Sequence, residues 1–311
     1  MFNSEIQNST PSLGTDYYKI LSIDGGGIRG LYPATFLANL QDKLGSVPIY
    51  QYFDLIVGTS TGGIIAIALS LGIHPKKVVS LYKDEGKNVF KKEVFRKGIA
   101  RPKYSNIHLV RLLKEIYGEE TCIKDAKTAL CLPSVNINTA SPKVFKTPRL
   151  PEIFADAVLP CWKVAAATAA APVFFPAVSV YEDDAHVDGG LWANNPAMVG
   201  VTEAIRIGYS LKQIKLLSIG TGKVNLFKTT KESLTAGVLS WKDDIFNLMG
   251  LTQSDSTHNM IRFWGLAEYC RINSNISPKF SIDNIDHLGE LEEIARQRSQ
   301  ETIHDVVQRF F

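Results

Sequence analysis

Residues 53–63 read FDLIVGTSTGG, and residues 64–71 continue IIAIALSL. The apolar, β-branched start of this stretch predicts a buried strand, and the apolar run after the glycines predicts a helix. Gly58 and Gly62 flank Ser60 in the pattern G-x-S-x-G at the turn between them. A strand–turn–helix context is what this pattern requires when its serine is a nucleophile. Ser60 is therefore a candidate nucleophile; the alternative is an ordinary glycine turn with a bystander serine.

A second stretch upstream has the same arrangement. Residues 17–30 read YYKILSIDGGGIRG, and the segment Tyr32–Leu44 follows. Aromatic and β-branched residues predict a strand before the glycines. Helical spacing of four apolar side chains predicts a helix after them; these are Phe36, Leu37, Leu40 and Leu44. Two successive strand–turn–helix units predict an α/β fold, with a mostly parallel sheet between two layers of helices.

The remaining periodic segments complete the predicted organisation. Two further apolar segments predict strands, at Leu132–Asn138 and Lys215–Ile219. Two late segments predict helices, at Leu234–Leu251 and Ile285–Phe310. We expect a flexible tail at residues 1–15 and a single domain over residues 16–311. Within that domain we expect a motif block at 17–223 and a helical C-terminal part at 224–311.

The glycine cluster after the first strand permits two interpretations. Gly25, Gly27 and Gly30 satisfy the pattern G-x-G-x-x-G of dinucleotide-binding folds. Those folds place an acidic residue at the end of the second strand, whereas Asp54 stands at the start of that strand. The other interpretation is an oxyanion hole, in which the amides of Gly25, Gly26 and Gly27 converge on a developing negative charge. We favour the oxyanion hole.

Arg29 is the charged residue inside this cluster. A guanidinium at this position would supply a full positive charge to a substrate phosphate or to a developing oxyanion. The alternative is a salt bridge that supports the loop. The sequence leaves both roles of Arg29 open.

The base that activates the serine is the next requirement, because a serine hydroxyl is a poor nucleophile until a base takes its proton. Of the six histidines, His258, His287 and His304 come late enough in the chain for the usual hydrolase order, but none of these three lies in a glycine-rich loop of catalytic character. Asp188, in contrast, ends a short strand-like segment and is followed directly by Gly189 and Gly190. A carboxylate held against the serine acts as a base without histidine. The alternative is that Asp188 only stabilises its own turn, as Asp-Gly pairs commonly do.

Taken together, the three motifs resemble those of the patatin-like phospholipase family, in the same order and spacing. They are DGGGIRG at 24–30, GTSTG at 58–62 and DGG at 188–190. The resemblance implies a three-layer α/β/α sandwich and ester hydrolysis by a Ser60–Asp188 dyad through an acyl-enzyme. It implies no metal or organic cofactor, and acyl chains of phospholipids, galactolipids or neutral glycerides as substrates.

Composition restricts the setting in which such an enzyme acts. The chain has 311 residues, a formal net charge of +3 and four cysteines without metal-site spacing. This balance gives no reason to expect binding to a nucleic acid polymer. The polar first fifteen residues do not predict a signal peptide, and the apolar run Ile64–Ile73 is too short for a membrane span. We expect a cytoplasmic protein that acts peripherally at the inner membrane surface.

A basic segment suggests what controls the protein. Residues 83–103 contain eight basic and three acidic residues, with interleaved Val and Phe. Such a segment suits anionic lipid headgroups or an anionic nucleotide, unless it is only a solvated helical face. The overall layout also resembles bacterial patatin-like anti-phage effectors that are switched on by a cyclic oligonucleotide. Assembly into a homo-oligomer is compatible with that hypothesis.

Large apolar residues in the C-terminal part have two interpretations. They would line an acyl channel or lid, or they would fill the core against the sheet; they are Trp241, Phe246, Met249, Phe263 and Trp264. Two functional alternatives also stay open. One is a soluble esterase or thioesterase that uses the same dyad without nucleotide control, and the other is a non-catalytic nucleotide-binding module built on the glycine cluster.

Overall fold

The structure of the protein is a computed structural model that describes residues 17–91, 101–148, 155–224, 234 and 244–311. The predicted tail at 1–15 lies outside these residues, as do Trp241 and the middle of the basic segment. None of the helices in the described ranges is both long enough and apolar enough to span a membrane.

The described strands are short, apolar and mostly buried. Their bounds are β1 Tyr18–Ile23, β2 Leu55–Gly58, β3 Ala129–Asn136, β4 Ser141–Lys146, β5 His186–Asp188, β6 Ile214–Ile219, β7 Lys223–Val224, β8 Glu268–Ile272 and β9 Asn275–Ile276. Seven of them form one sheet in the order β4-β3-β2-β1-β6-β8, with β5 paired to β3. Strands β3, β2, β1, β6 and β8 run parallel, whereas β4 and β5 are antiparallel to β3.

Helices cover both faces of this sheet. Their bounds are α1 Leu31–Leu44, α2 Thr61–Ser70, α3 Pro75–Val89, α4 Ile107–Tyr117, α5 Cys161–Thr168, α6 Gly190–Ala193, α7 Ala197–Arg206, α8 Asp244–Ile261 and α9 Leu288–Phe310. Alternate residues of β1 face opposite sides, because Leu21 and Ile23 belong to the larger core and Ile20 belongs to the smaller one. The larger core contains residues of α1 and α2, and the smaller one contains residues of α7. The predicted three-layer α/β/α arrangement with a mostly parallel sheet is confirmed.

The short strand β5 determines where the chemistry can occur. On one edge β3 pairs with β2 at Ala129–Cys131, and it pairs with β5 farther along at Ser134–Asn136. The other edge of β3 pairs with β4 through Asn136. Strand β5 therefore lies beside β3 in the position that β2 would take if it continued beyond its carboxyl end. It runs antiparallel to β2. The two strands point at each other, so the residue ending β5, Asp188, faces the turn that follows β2.

The C-terminal part is less helical than the sequence predicts. Strand β8 extends the main sheet beside β6, with Lys215 paired to Glu268 and Ile219 paired to Ile272. This strand reads EYCRI, with a charged residue at its first and fourth positions. The helix predicted at Leu234–Leu251 overlaps α8, which continues to Ile261, and the helix predicted from Ile285 begins at Leu288 as α9.

Candidate active site

Ser60 occupies a strained turn between β2 and α2. Its backbone angles are φ 56° and ψ −126°, in a region that residues other than glycine rarely adopt. Such a conformation costs about 1–3 kcal/mol and persists only where the surroundings enforce it. The turn projects Ser60 from the carboxyl end of β2 at the start of a helix, which is the geometry of a nucleophile elbow.

The two glycines around Ser60 are required by close backbone approach. A Cβ atom added at Gly58 would lie 2.2 Å from the carbonyl oxygen of Gly62. A Cβ atom added at Gly62 would lie 2.2 Å from the carbonyl oxygen of Ile23. A side chain at Gly58 would open the turn itself, and one at Gly62 would force the turn away from the end of β1. The G-x-S-x-G pattern is therefore a steric requirement of this turn.

Asp188 is fully buried beside the Ser60 turn. Its Oδ1 accepts a hydrogen bond from the Gly190 amide at 2.7 Å, whereas its Oδ2 has no partner of ordinary hydrogen-bond geometry among the described residues. Burial raises the pKa of the Asp188 carboxyl to about 7, although the Ser60 hydroxyl and the Gly190 amide both lower it by hydrogen bonding. A carboxylate with a pKa near neutrality is well matched to accept and return a proton.

The turn after Asp188 also depends on glycine. A Cβ atom added at Gly189 would lie 2.3 Å from the carbonyl oxygen of Pro133 in β3. One added at Gly190 would lie 3.0 Å from Oδ1 of Asp188. The bond from Gly190 to Asp188 is the self-stabilised turn that the sequence allowed as an alternative. It engages one carboxylate oxygen and leaves the other facing the site.

The glycine cluster lies against Ser60, but only part of it offers free amides. A Cβ atom at Gly25 would lie 3.2 Å from Cβ of Ser60. The Gly25 amide donates to the carbonyl of Asn194 at 2.9 Å, so the prediction that Gly25 contributes its amide to an oxyanion hole is wrong. Within the described part of the chain, no acceptor is assigned to the amides of Gly26 or Gly27. Both glycines line the same cavity as Ser60.

Gly27 requires glycine for two reasons. Its φ is +58°, and an added Cβ atom would lie 2.1 Å from the carbonyl oxygen of Ile282. The same carbonyl accepts the amide of Ile28 at 2.8 Å. A segment far along the chain therefore holds the glycine loop in place.

Asp24, at the start of the loop, forms a buried ion pair that the sequence did not reveal. Its carboxylate accepts from Nη1 of Arg271 at 2.8 Å and from the Ser254 hydroxyl at 3.1 Å. Burial alone would lower the pKa of Arg271, but the charge of Asp24 outweighs that effect and raises it. Ser254 also accepts from the side-chain amide of Asn194 at 3.0 Å. Asp24 thus supports the loop and takes no direct place in the cavity.

Arg29 is buried at the cavity wall and forms no ion pair with an acidic side chain of the described residues. Its Nε contacts the carbonyl of Gly26 at 3.4 Å, and its Nη2 donates to Asn247 at 3.3 Å. Its Nη1 is buried without a hydrogen-bond partner, and no carboxylate of the described residues forms a salt bridge with it. Burial lowers the pKa of Arg29 to about 10, partly offset by Asp24, so the group stays charged at neutral pH. The salt-bridge alternative for Arg29 is therefore not observed in these ranges.

Two cavities meet at Ser60. One has a mostly apolar lining that also includes the polar side chains of Arg29, Asn194 and Asn247. The other has an almost wholly apolar lining that includes Leu109 and Leu112. A serine between an apolar cavity and one that also offers a guanidinium suits an amphipathic ester.

The histidine and dinucleotide alternatives find no support in this geometry. His186 bonds to Asp184 at 2.6 Å and His258 bonds to Tyr269 at 2.8 Å, and no hydrogen bond joins Ser60 to a histidine in the described ranges. Asp54 accepts from the amide of Lys19 at 2.7 Å, at the amino end of the sheet and away from the glycine loop.

The comparisons with known proteins agree with this site. The family model "Patatin-like phospholipase" matches residues 21–201. A protein of Pseudomonas aeruginosa, named cGAMP-activated phospholipase, is 34% identical over 276 residues, which cover 87% of this chain and 82% of that protein. This chain belongs to the patatin-like phospholipase family. The resemblance seen in the three motifs is therefore confirmed.

Two other relatives extend the comparison. A cGAMP-activated phospholipase of Vibrio cholerae is 34% identical over 65% of this chain and 64% of its own length. Patatin-T5 of Solanum tuberosum is 31% identical over 71% of this chain and 66% of its own length. These alignments span slightly less than two thirds of those relatives. As a patatin-like phospholipase, this protein is a lipid acyl hydrolase that cleaves carboxylic esters.

Among the described C-terminal apolar residues of this patatin-like phospholipase, Phe246 has one of the two expected roles and the other three have neither position. Phe246 lines the cavity at Ser60 that also contains Arg29, as an acyl-channel or lid residue would. Met249 and Trp264 are each more than one-third exposed and Phe263 is three-quarters exposed, so none of these three fills the core. Of the basic segment, Lys83 pairs with Glu292 at 2.9 Å and Lys103 pairs with Asp283, so both of its ends are engaged within the fold.

Proposed function

We propose that this patatin-like phospholipase hydrolyses acyl esters of membrane phospholipids with a Ser60–Asp188 dyad. One observation carries the proposal: a strained Ser60 meets a buried Asp188 with a pKa near 7, in front of the amides of Gly26 and Gly27. These residues would supply the nucleophile, the base and the oxyanion site that acyl transfer requires.

Acylation begins at Ser60. Asp188 takes the hydroxyl proton as Oγ attacks the ester carbonyl, and the carbonyl oxygen becomes an oxyanion. The amides of Gly26 and Gly27 stabilise that oxyanion by hydrogen bonding, assisted by the positive N-terminal end of α2. Protonated Asp188 then gives the proton to the departing alcohol, which leaves as the lysophospholipid.

Deacylation repeats the same proton transfers with water. Asp188 takes a proton from a water molecule, which attacks the acyl-enzyme carbonyl and forms a second oxyanion in the same hole. Collapse of this intermediate releases the fatty acid and returns the proton to Ser60. Asp188 therefore acts first as a base and then as an acid in both half-reactions, whereas Ser60 is the nucleophile in the first and the leaving group in the second. No additional group is required for proton balance.

The two cavities favour a phospholipid over a short, soluble ester. The apolar cavity would receive an acyl chain, and the Arg29 side of the other cavity would receive the phosphate. The free Nη1 of Arg29 is a buried donor that a phosphate oxygen would satisfy. Such a substrate lies in a membrane, so we propose peripheral action at the inner membrane surface of the cell.

A cyclic nucleotide is the proposed activator. Three relatives at 34% identity are named cGAMP-activated phospholipases, and one of them aligns over 87% of this chain. Activation by cGAMP, or by a related cyclic oligonucleotide, would confine membrane hydrolysis to a signalled state. This property would suit a bacterial antiviral effector that degrades the membrane of its own cell.

The test is hydrolysis of fluorescent-acyl phospholipid vesicles by the wild type, Ser60→Ala and Asp188→Asn, with and without cGAMP and other cyclic oligonucleotides. We expect fatty acid release by the wild type, a large increase with one nucleotide, and loss in both variants. Retained activity in both variants would contradict the dyad. Hydrolysis of short soluble esters alone would favour the esterase alternative, and nucleotide binding without any hydrolysis would favour the binding module.

A further inference from the structure

Thr168, the last residue of α5, is fully buried and contacts the turns of both proposed catalytic residues. Its hydroxyl oxygen lies 3.1 Å from the backbone nitrogen of Ser60 and 2.5 Å from the carbonyl oxygen of Pro133. A carbonyl oxygen only accepts, so the hydroxyl donates to Pro133 and directs a lone pair at the N–H of Ser60. The direction of both hydrogen bonds is thereby fixed.

The same end of α5 also holds the turn of Asp188. The carbonyl of Thr168 accepts from the Gly189 amide at 3.4 Å, and the carbonyl of Ala170 accepts from the Asp188 amide at 3.0 Å. The methyl group of Thr168 packs against the start of α2, since a Cβ atom added at Gly63 would lie 2.7 Å from it. Thr168 therefore uses its hydroxyl, its methyl and its carbonyl at three different contacts.

The hydroxyl contact acts on the most strained backbone in the site. Ser60 has φ 56° and stands at the N-cap of α2, where its N–H has no partner within the helix. Without Thr168, that buried N–H would lose its acceptor and the strained turn would be free to relax. A shift of about 1 Å in a reacting group lowers the rate by up to about a hundredfold.

We propose that Thr168 is a positioning residue for the hydrolysis, because its hydroxyl fixes the backbone of Ser60 and its carbonyl aligns the turn of Asp188. This inference rests on the proposed Ser60–Asp188 mechanism. Thr168 contacts no reacting atom and acts only through these two turns. The Thr168 hydroxyl also accepts the hydrogen bond of the Ser60 amide. Stabilisation of the oxyanion is therefore assigned to the amides of Gly26 and Gly27.

The test compares kcat and KM for Thr168→Val, Thr168→Ser and a matched control, Thr128→Val. Thr128 is another buried threonine, whose hydroxyl donates to the carbonyl of Phe53 at 2.7 Å, away from both cavities. We expect Thr168→Val to lower kcat about ten- to a hundredfold while KM changes less than about threefold. Thr168→Ser keeps the hydroxyl and nearly all of kcat. We expect Thr128→Val to lower the melting temperature as Thr168→Val does, but to keep the wild-type kcat.

Two results separate this inference from the proposed function. Retained hydrolysis by Ser60→Ala, measured in the same assay, overturns the proposed function and this inference with it. Where hydrolysis depends on Ser60, a wild-type kcat in Thr168→Val, or an equal loss in Thr168→Ser, overturns the positioning role alone. If Thr168→Val does not fold, Thr168→Ala replaces it, because alanine and serine differ only in the hydroxyl. Equal kcat values in Thr168→Ala and Thr168→Ser would then overturn the positioning role.

Discussion

The motif block, residues 17–223, and the C-terminal segment, residues 244–311, contribute to the site in different ways. The motif block contains Ser60, Asp188 and the glycines. The C-terminal segment contains neither the proposed nucleophile nor the proposed base, yet it contacts the loop that carries the proposed oxyanion site. Arg271 pairs with Asp24, and the carbonyl of Ile282 accepts the amide of Ile28. The comparison teaches that the glycine loop depends on a remote part of the chain, whereas the Ser60 and Asp188 turns are supported from within the motif block by Thr168.

The support is integral to the fold. Strand β8 of the C-terminal segment pairs with β6 in the main sheet, so the contacts from Arg271 start on a rigid element. We therefore propose that the two regions form a single domain. Variants in each region should then fail differently: those in the motif block should lose chemistry, and those in the C-terminal segment should lose stability and loop geometry.

The largest effect is expected from Asp188→Asn in the motif block. The amide has nearly the shape of the carboxyl but cannot take a proton, so kcat should fall about 10⁴-fold while the protein stays folded. Steady-state kinetics on phospholipid vesicles and a thermal melt measure the two properties. Asp184→Asn is the control, because Asp184 precedes β5 and bonds to His186. A similar loss of kcat in the control would contradict a specific role for Asp188.

The next largest effect is expected from Arg271→Met in the C-terminal segment. This change leaves the buried Asp24 carboxylate without its cation, which should lower the free energy of unfolding by about 3–5 kcal/mol. Arg309→Met is matched to it, because Arg309 pairs with Glu268 of the same strand but at a partly exposed site. That control should cost about 0–1 kcal/mol in urea denaturation. Equal losses of unfolding free energy in the two variants would show that the buried Asp24–Arg271 pair contributes no more to stability than the partly exposed pair.

A smaller effect is expected where the two regions touch. Gly27→Ala places a methyl group against the carbonyl of Ile282 at a φ of +58°, so it should lower both stability and kcat. Gly45→Ala has a φ of +80° but open space around the added atom, so it reports backbone strain alone, about 1–2 kcal/mol. Melting curves and kcat for both variants separate the clash from the strain. A Gly27 variant with the kcat of the Gly45 variant would argue against an oxyanion role for this loop.

Activity and stability should both change gradually with pH. Asp188 is active as a base when ionised, and its pKa is about 7. The value of kcat/KM should therefore fall about tenfold for each pH unit below 7 and level off above it. Stability should have the opposite trend: the folded-state pKa exceeds the ordinary value of 3.8, so the unfolding free energy falls as pH rises between about 4 and 7. In Asp188→Asn the unfolding free energy should not fall in this way between pH 4 and 7. A decrease in kcat/KM that begins only near pH 4 would contradict the role of Asp188 as the base.

The sequence is most informative where a local backbone requirement identifies a residue. Gly58, Gly62 and Gly189 are recognisable because a side chain at each would collide with neighbouring backbone. The proposal of Ser60 and Asp188 as the reacting residues follows from their positions beside those glycines. The confirmed family and three-layer fold rest on the same local patterns.

Sequence reasoning failed where the partner is remote. Arg271 lies 247 residues from Asp24, and nothing in its neighbourhood indicates a buried ion pair. The Gly25 amide was assigned wrongly because its acceptor, Asn194, is brought to it only by the fold. The sequence EYCRI of strand β8 is short and only partly apolar, and its place in the sheet depends on pairing with β6, about fifty residues earlier. Thr168 shows no motif at all, although it contacts both turns.

The most direct test of the central claim is covalent labelling with a fluorophosphonate, followed by mass spectrometry of the intact protein and its peptides. The reagent forms a stable adduct with an activated serine, in the presence of cGAMP if activation requires it. We predict one adduct per chain, on the peptide that contains Ser60, with labelling lost in Ser60→Ala and slowed in Asp188→Asn. An adduct on a different residue, or undiminished phospholipid hydrolysis by Ser60→Ala, would contradict the account.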